Sequence, residues 1–103
     1  MTTDRVFDAL ASAARRRMLR DLAQGELTTT ALAARLALSM PAVSRHLSVL
    51  ENAGVVASRR DGQHVRYALV RDALMEALSG FADEVAMRAQ PQPARPRQRR
   101  DAI

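Results

Sequence analysis

The chain contains no cysteine and no lysine, and it has only two histidines, His46 and His64. Without cysteine, disulfides, thiolate metal sites and thiol redox sensing are excluded, and a cytoplasmic location is the expectation. No run of about 18 apolar residues is present to span a membrane, and no signal-peptide pattern appears. The sequence also lacks a phosphate-cradling glycine loop, a nucleophile beside a base, and a carboxylate pair in a plausible cleft. An enzyme is therefore not expected, and no catalytic residue or cofactor is assigned. His46 and His64 stand alone in separate segments, without a third ligand or a carboxylate at ligand spacing, so no metal site is assigned either. All the basic residues are arginine. Together with the many alanines this looks like the mark of a GC-rich genome, so arginine at any one position is weak evidence of bidentate chemistry.

What is present is positive charge. A formal charge of +5 on 103 residues and a pI of about 11.4 fit one domain with a polyanionic partner.

The organising stretch runs from Leu27 to Gly54, LTTTALAARLALSMPAVSRHLSVLENAG. Leu32, Ala33 and Leu36 recur at helical spacing, and Val43, Leu47 and Leu50 recur as i, i+4, i+7, so two short helices with one buried side each are expected. Ser39 can cap the second helix, and Pro41 is tolerated in its first turn, where amides lack intrahelical partners. Gly54 ends it. On a helical wheel the opposite side carries Pro41, Arg45, Ser48 and Asn52, which is small and polar with one cation. Short side chains let a helix backbone approach a partner closely, as entry into a DNA major groove requires. In a helix-turn-helix the N-terminal part of the second helix reads the bases, which makes Met40, Ala42, Ser44 and Arg45 the candidate readers. The plain alternative is a helical hairpin in an ordinary α domain.

Upstream, DRVFDALAS places Val6, Phe7 and Leu10 on one side of a short helix, and Asp4 suits its first turn. Ser12 can cap a second helix in which Met18, Leu19 and Leu22 face inward and Gly25 follows the end. Its arginines, Arg15, Arg16, Arg17 and Arg20, read mainly as a solvated face, with phosphate contact by one or two as the alternative.

Downstream of Gly54 the apolar period changes from 3.6 to 2. Residues 55–60 and 64–69 form a hairpin signal around Asp61-Gly62, a pair that favours a two-residue turn with positive φ. Alternation puts Val65, Tyr67 and Leu69 on one face and His64, Arg66 and Ala68 on the other. Arg59, Arg60, Gln63, His64 and Arg66 surround the tip against the one acid Asp61. That suits phosphate contact or minor-groove insertion. Charged protection of a sheet edge is the other reading.

The last helix is expected from Asp72 to Arg88. Leu74, Leu78, Phe81 and Val85 make one stripe, and Met75, Ala82 and Ala86 make a second beside it. The joint apolar arc is about half the circumference, wider than the roughly 100° needed to dock on one domain. A symmetric dimer through this helix and the first one, with Phe7 and Leu10 contributing, would cover the excess and stabilise a core of about 85 ordered residues. Met18, Met40, Met75 and Met87 read as core filling. Residues 89–103, AQPQPARPRQRRDAI, carry three prolines, four arginines and one acid, and are expected to be a disordered tail beyond a domain of residues 1–88.

The order of four helices, hairpin and long helix resembles a winged helix-turn-helix domain, and its motifs are similar to those of the bacterial ArsR (ArsR/SmtB-like) transcriptional repressors. The resemblance covers residues 5 to about 86 and rests on ALASAARRRMLRDLAQGEL, LAARLALSMPAVSRHLSVLENAGVV and RRDGQHVRYAL. SRHLSVLENAGVV is the most specific of these. The resemblance implies a mainly α fold with a small β-hairpin, dimeric through the first and last helices. It implies a homodimer on a two-fold symmetric double-stranded DNA operator. The recognition helix then carries Ser39, Met40, Ala42, Ser44, Arg45 and His46, to which the outward Ser48 is added, and Arg59, Arg60, Gln63, His64 and Arg66 form the wing. Phe7, Leu10, Leu74, Met75, Leu78, Phe81, Ala82 and Val85 are the dimer candidates.

The departures bear on regulation. Ser12-Ala13-Ala14 stands where members often have Asp-Pro-Thr. Thr28 to Arg35 contains no ligand where metal-sensing relatives carry cysteines, and the last helix has no histidine. Asp72, Glu76, Asp83 and Glu84 remain there, but carboxylates alone suit hard ions, and Asp72, Glu76 and Asp83 are expected to face water. An autorepressor, or a repressor relieved by a non-metal signal, is therefore the reading. The alternatives are a metal- or small-molecule-responsive repressor with a non-standard sensor site, and a dimeric protein-interaction adaptor.

Overall fold

A computed structural model describes residues 2–91 of the chain. Five helices and three short strands follow one another as α1 (Thr2–Leu10), α2 (Ala13–Leu22), β1 (Leu27–Thr28), α3 (Thr29–Leu36), α4 (Met40–Asn52), β2 (Val56–Asp61), β3 (His64–Leu69) and α5 (Arg71–Arg88). This is the expected winged helix-turn-helix order with one addition. The two-residue β1 pairs antiparallel with β3, Leu27 opposite Tyr67 and Thr28 opposite Arg66, so the hairpin is part of a three-stranded sheet in the order β1-β3-β2.

The caps at Ser12 and Ser39 follow the sequence signals, and Thr28 adds a third. Ser12 Oγ accepts from the Arg15 backbone N–H at 3.3 Å, Thr28 Oγ1 from Ala31 at 3.1 Å and Ser39 Oγ from Ala42 at 3.2 Å. Each such cap is worth about 1 kcal/mol to its helix. The end of α3 is less ordinary. Ala37 takes the left-handed conformation with φ 56, and Leu38 N–H donates back to the Ala33 carbonyl at 3.1 Å, the long bond of a Schellman-type ending. This turns the chain sharply into α4.

Val6, Met18, Leu19, Leu22, Leu32, Leu36, Val43, Leu47, Leu50, Val55, Val56 and Leu74 form one buried cluster drawn from every helix, with no polar residue in it among the described residues. Full burial of each large side chain is worth about 1.5–3 kcal/mol. The inner face of α4 is thus held from four directions. Its opposite face is left for other use.

The methionines depart from the expectation. Met18 is in the core, but Met40, Met75 and Met87 are 44%, 40% and 86% exposed. An unbranched side chain at helical spacing looks alike whether its stripe meets the core or the surface. α5 ends at Arg88, and of the tail expected to be disordered, residues 92–103 lie outside the described residues.

Candidate nucleic-acid interface

Along α4, Val43, Leu47 and Leu50 are buried, while Ser39, Met40, Pro41, Ser44, Arg45, Ser48 and Asn52 are exposed and Ala42 and His46 are half-buried. The exposed side is a ridge of small side chains with Arg45 projecting from it. No hydrogen bond of the Arg45 side chain is made within the described residues, so the guanidinium has no protein group to leave before meeting a base or phosphate.

The hairpin beside it is shaped by a turn one residue later than expected. Asp61 pairs with His64 at the end of the ladder, so Gly62 and Gln63, rather than Asp61 and Gly62, are the central residues. Gly62 has φ +65 and Gln63 is not left-handed, the pattern of a turn with glycine first. Asp61 extends β2 instead of turning. The expected alternation holds: Val65, Tyr67 and Leu69 oppose Arg60, Ser58 and Val56, while His64, Arg66 and Ala68 oppose Asp61, Arg59 and Ala57.

Arg59 and Arg66 therefore lie directly opposite each other, a placement that costs stability unless the charge is compensated. Each has its own carboxylate. Arg59 donates to Glu26 through Nη2 at 2.8 Å and Nε at 3.3 Å, and Arg66 Nε donates to Asp61 at 2.7 Å. The Glu26 carboxylate raises the Arg59 pKa above its ordinary value, and Arg66 holds the Asp61 carboxyl below its own. The wing is thus less bare than its composition suggests, because Glu26, remote in sequence, supplies a second acid. Among the described residues, Arg60, Gln63 and His64 make no side-chain hydrogen bond.

Ser58 Oγ donates to Glu51 of α4 at 2.8 Å. The hairpin is consequently tied both to α4 and to the segment before β1, which fixes its position beside the exposed ridge.

The α2 arginines were expected to be mainly solvated, and three of them do something more specific. Arg15 Nε donates to the Ala9 carbonyl at 2.7 Å and Nη2 to Asp8 at 3.2 Å. Arg16 Nη1 donates to Leu10 at 2.7 Å, and Arg17 Nη2 reaches the Arg35 carbonyl at 3.4 Å. Cations at unsatisfied C-terminal carbonyls complement the helix dipole. Arg15 and Arg16 hold the end of α1, and Arg17 that of α3. Arg15 Nη1 also lies 3.3 Å from His46 Nδ1. Burial, then the charges of Arg15 and Arg45, lower the His46 pKa below its ordinary value.

The dimer candidates divide. Leu74 belongs to the protomer's own core, and Leu10 packs half-buried against it. Met75, Leu78, Phe81 and Val85 are 40%, 36%, 51% and 51% exposed, with Ala82 exposed between them. Phe7 of α1 meets Phe81 edge to face, with ring centroids 5.4 Å apart. An apolar strip of this length is unusual on a free helix surface. Asp72, Glu76, Asp83 and Glu84 are all exposed, and no group of three potential metal ligands occurs among the described residues. No helix among these residues is long and apolar enough to cross a membrane.

Comparison with known proteins agrees with this geometry. Residues 12–58 match the model of the bacterial regulatory proteins of the arsR family. A probable mercury resistance operon repressor of Streptomyces lividans is 39% identical over 89 residues, covering 82% of this chain and 71% of that protein. The transcriptional repressor SdpR of Bacillus subtilis is 32% identical over 74 residues, covering 72% and 82%. Among solved structures, the homodimeric winged helix-turn-helix domain of a possible ArsR-family regulator from Mycobacterium bovis superposes with a TM-score of 0.69 at 28% identity, over 89% of this chain and 88% of that one. The exposed ridge, the fastened basic hairpin and these likenesses lead to one assignment: the chain belongs to the arsR family of bacterial regulatory proteins and is a DNA-binding transcriptional repressor.

Proposed function

We propose that this chain represses transcription as a symmetric homodimer seated on a two-fold operator in double-stranded DNA. The observation that carries this reading is the two-sided α4, whose inner leucines and valine are fully enclosed while its outer face is short, polar and exposed. Ser39, Met40, Ala42, Ser44 and Arg45 face base edges in the major groove, with His46 and Ser48 at the margins of the contact. Arg59, Arg60, Gln63, His64 and Arg66 run beside the adjacent backbone or minor groove, and Arg60 is the wing arginine that makes no ion pair within the described residues.

The second protomer covers the α5 strip. Met75, Leu78, Phe81, Ala82 and Val85, with Phe7 and Leu10 at its edge, face their symmetry copies, and Leu74 supports them from within. Such pairing places two α4 helices about 34 Å apart, one turn of DNA. The similar Mycobacterium bovis domain is homodimeric, which supports a dimeric reading of this chain. The chain has no cysteine, so relief of repression by a thiolate-bound metal is not part of this reading. Autorepression, or release by a partner protein or small molecule, is.

Sedimentation of the protein with a duplex from its own promoter tests the assembly. Two chains per duplex and a footprint symmetric about one centre are expected, whereas one chain per duplex with an asymmetric footprint would overturn the dimer.

A further inference from the structure

We propose that Arg15 is a positioning residue for DNA binding: anchored on the last carbonyls of α1, its guanidinium holds His46 of α4 as the imidazole that donates Nε2–H to a DNA phosphate. The inference rests on the DNA-binding role of α4 given above, and it adds a residue from outside the helix-turn-helix to that role.

Three observations carry it. Arg15 is fixed before it meets His46, since Nε and Nη2 already donate to Ala9 and Asp8 at 2.7 and 3.2 Å. A guanidinium has only donors. The 3.3 Å contact of Nη1 with His46 Nδ1 therefore requires Nδ1 to accept, which puts the imidazole proton on Nε2. Finally, Nε2 makes no hydrogen bond within the described residues, and no partly buried residue there has an enclosed side-chain nitrogen without a partner. Nε2 consequently reaches solvent. It does so at the border of the exposed ridge, one residue from Arg45, where a helix lying in the major groove passes the sugar-phosphate backbone rather than the bases.

Burial, and after it the charged groups around His46, disfavour the imidazolium form. Arg15 faces it from α2 and Arg45 from α4 itself, while α1 presents the Asp8 and Ala9 carbonyls that Arg15 occupies. A proton on Nδ1 would remove the acceptor and set a third cation beside two. Arg15 thereby links α1, which carries part of the apolar strip, to the recognition helix through three hydrogen bonds. Lysine, a point charge without the planar fork, cannot reproduce the arrangement.

The test combines NMR of the free protein with DNA binding. Long-range nitrogen–proton correlation on the imidazole reads the tautomer without DNA, and is expected to show Nε2–H in the wild type and a mixture in Arg15→Gln and Arg15→Lys. A tautomer mixture in the wild type, or an unchanged Nε2–H form in Arg15→Gln, would overturn the proposal even if the protein binds its promoter. On promoter DNA, Arg15→Gln and His46→Ala are each expected to weaken binding about tenfold and the double variant hardly further, as coupled neighbours do. His46→Ala should lower affinity for a scrambled duplex by the same factor. Additive losses, or a loss confined to the promoter sequence, would contradict the positioning role or the phosphate contact respectively. Thermal melts of each variant identify any loss caused by unfolding. His46→Gln, which keeps an outward amide donor, should retain more affinity than His46→Ala at equal melting temperature. Failure of the wild type to bind any DNA would sink the reading of α4 while leaving the tautomer result standing.

Discussion

Arg59 and Glu26 are 33 positions apart in the chain and share two hydrogen bonds, at 2.8 and 3.3 Å. The pair fastens the hairpin to the segment between α2 and α3, and it occupies a guanidinium that would otherwise be open to phosphate. Both side chains are substantially exposed, so the pair contributes little to folding. Its effect belongs to binding. Glu26→Gln is expected to leave the melting temperature nearly unchanged, raise affinity for promoter and scrambled duplexes alike, and steepen the salt slope by about 0.9 for the phosphate contact released. A shallower slope would mean that Glu26 holds Arg59 in its binding position instead of withholding it.

Arg45 stands at the opposite pole, with no protein partner for its side chain among the described residues. Arg45→Ala should cost about 1–3 kcal/mol on the operator and little on scrambled DNA if it reads a base. Equal losses on both duplexes, seen in parallel titrations, would reassign it to a phosphate.

Burial and two neighbouring cations lower the His46 pKa, which sets the sign of its contribution to stability. The native state resists protonation more than the unfolded chain does. The stabilisation is therefore complete above the unfolded value of about 6.5 and is lost as pH falls from there through the lower native value. Chemical denaturation at a series of pH values should show stability declining below about pH 6.5, with a shallower decline for His46→Gln. An identical decline in that variant would place the titrating group elsewhere.

Phe81 is half exposed and leans on Phe7 across the α1–α5 contact. In the proposed dimer it would lie at the centre of the buried strip, where a charge would have no partner and no water. Phe81→Glu is expected to yield monomers by light scattering at micromolar concentration while the helical signal persists, and operator affinity should fall with the loss of the second half-site. Dimers that survive the substitution would move the interface away from α5.

Ala37 is the one non-glycine residue with positive φ among the described residues. The conformation is required for the bond from Leu38 to Ala33 that redirects the chain into α4, and an L side chain adopts it at a cost. Ala37→Gly removes the strain but adds freedom to the unfolded chain, so a net gain of about 0.5–1 kcal/mol is expected. Destabilisation in thermal or denaturant unfolding would show that the methyl group has a packing role.

These residues also show which features local sequence could reveal. Ser39, Pro41, Gly54 and the Val43-Leu47-Leu50 spacing are local signals whose physics is complete within one helix, and α4 formed where they placed it. β1 was not legible, since two residues have no period, and Leu27 and Thr28 become a strand only because β3 lies alongside. The hairpin turn slipped by one residue because Asp61 gains more from pairing with His64 and binding Arg66 than from turning. The α2 arginines looked like a solvated face because their acceptors are carbonyls at the ends of α1 and α3, which carry no side-chain signature. Glu26 was invisible as a wing residue for the same reason of distance.

The most direct test of the central claim is fluorescence anisotropy with labelled duplex from the protein's own promoter and a scrambled duplex of equal length, each at two salt concentrations. An autorepressor reading through α4 predicts tight promoter binding, far weaker binding to the scrambled duplex, and a difference that persists at the higher salt. Equal and steeply salt-sensitive binding to both would contradict it, leaving a basic surface that coats DNA without reading it.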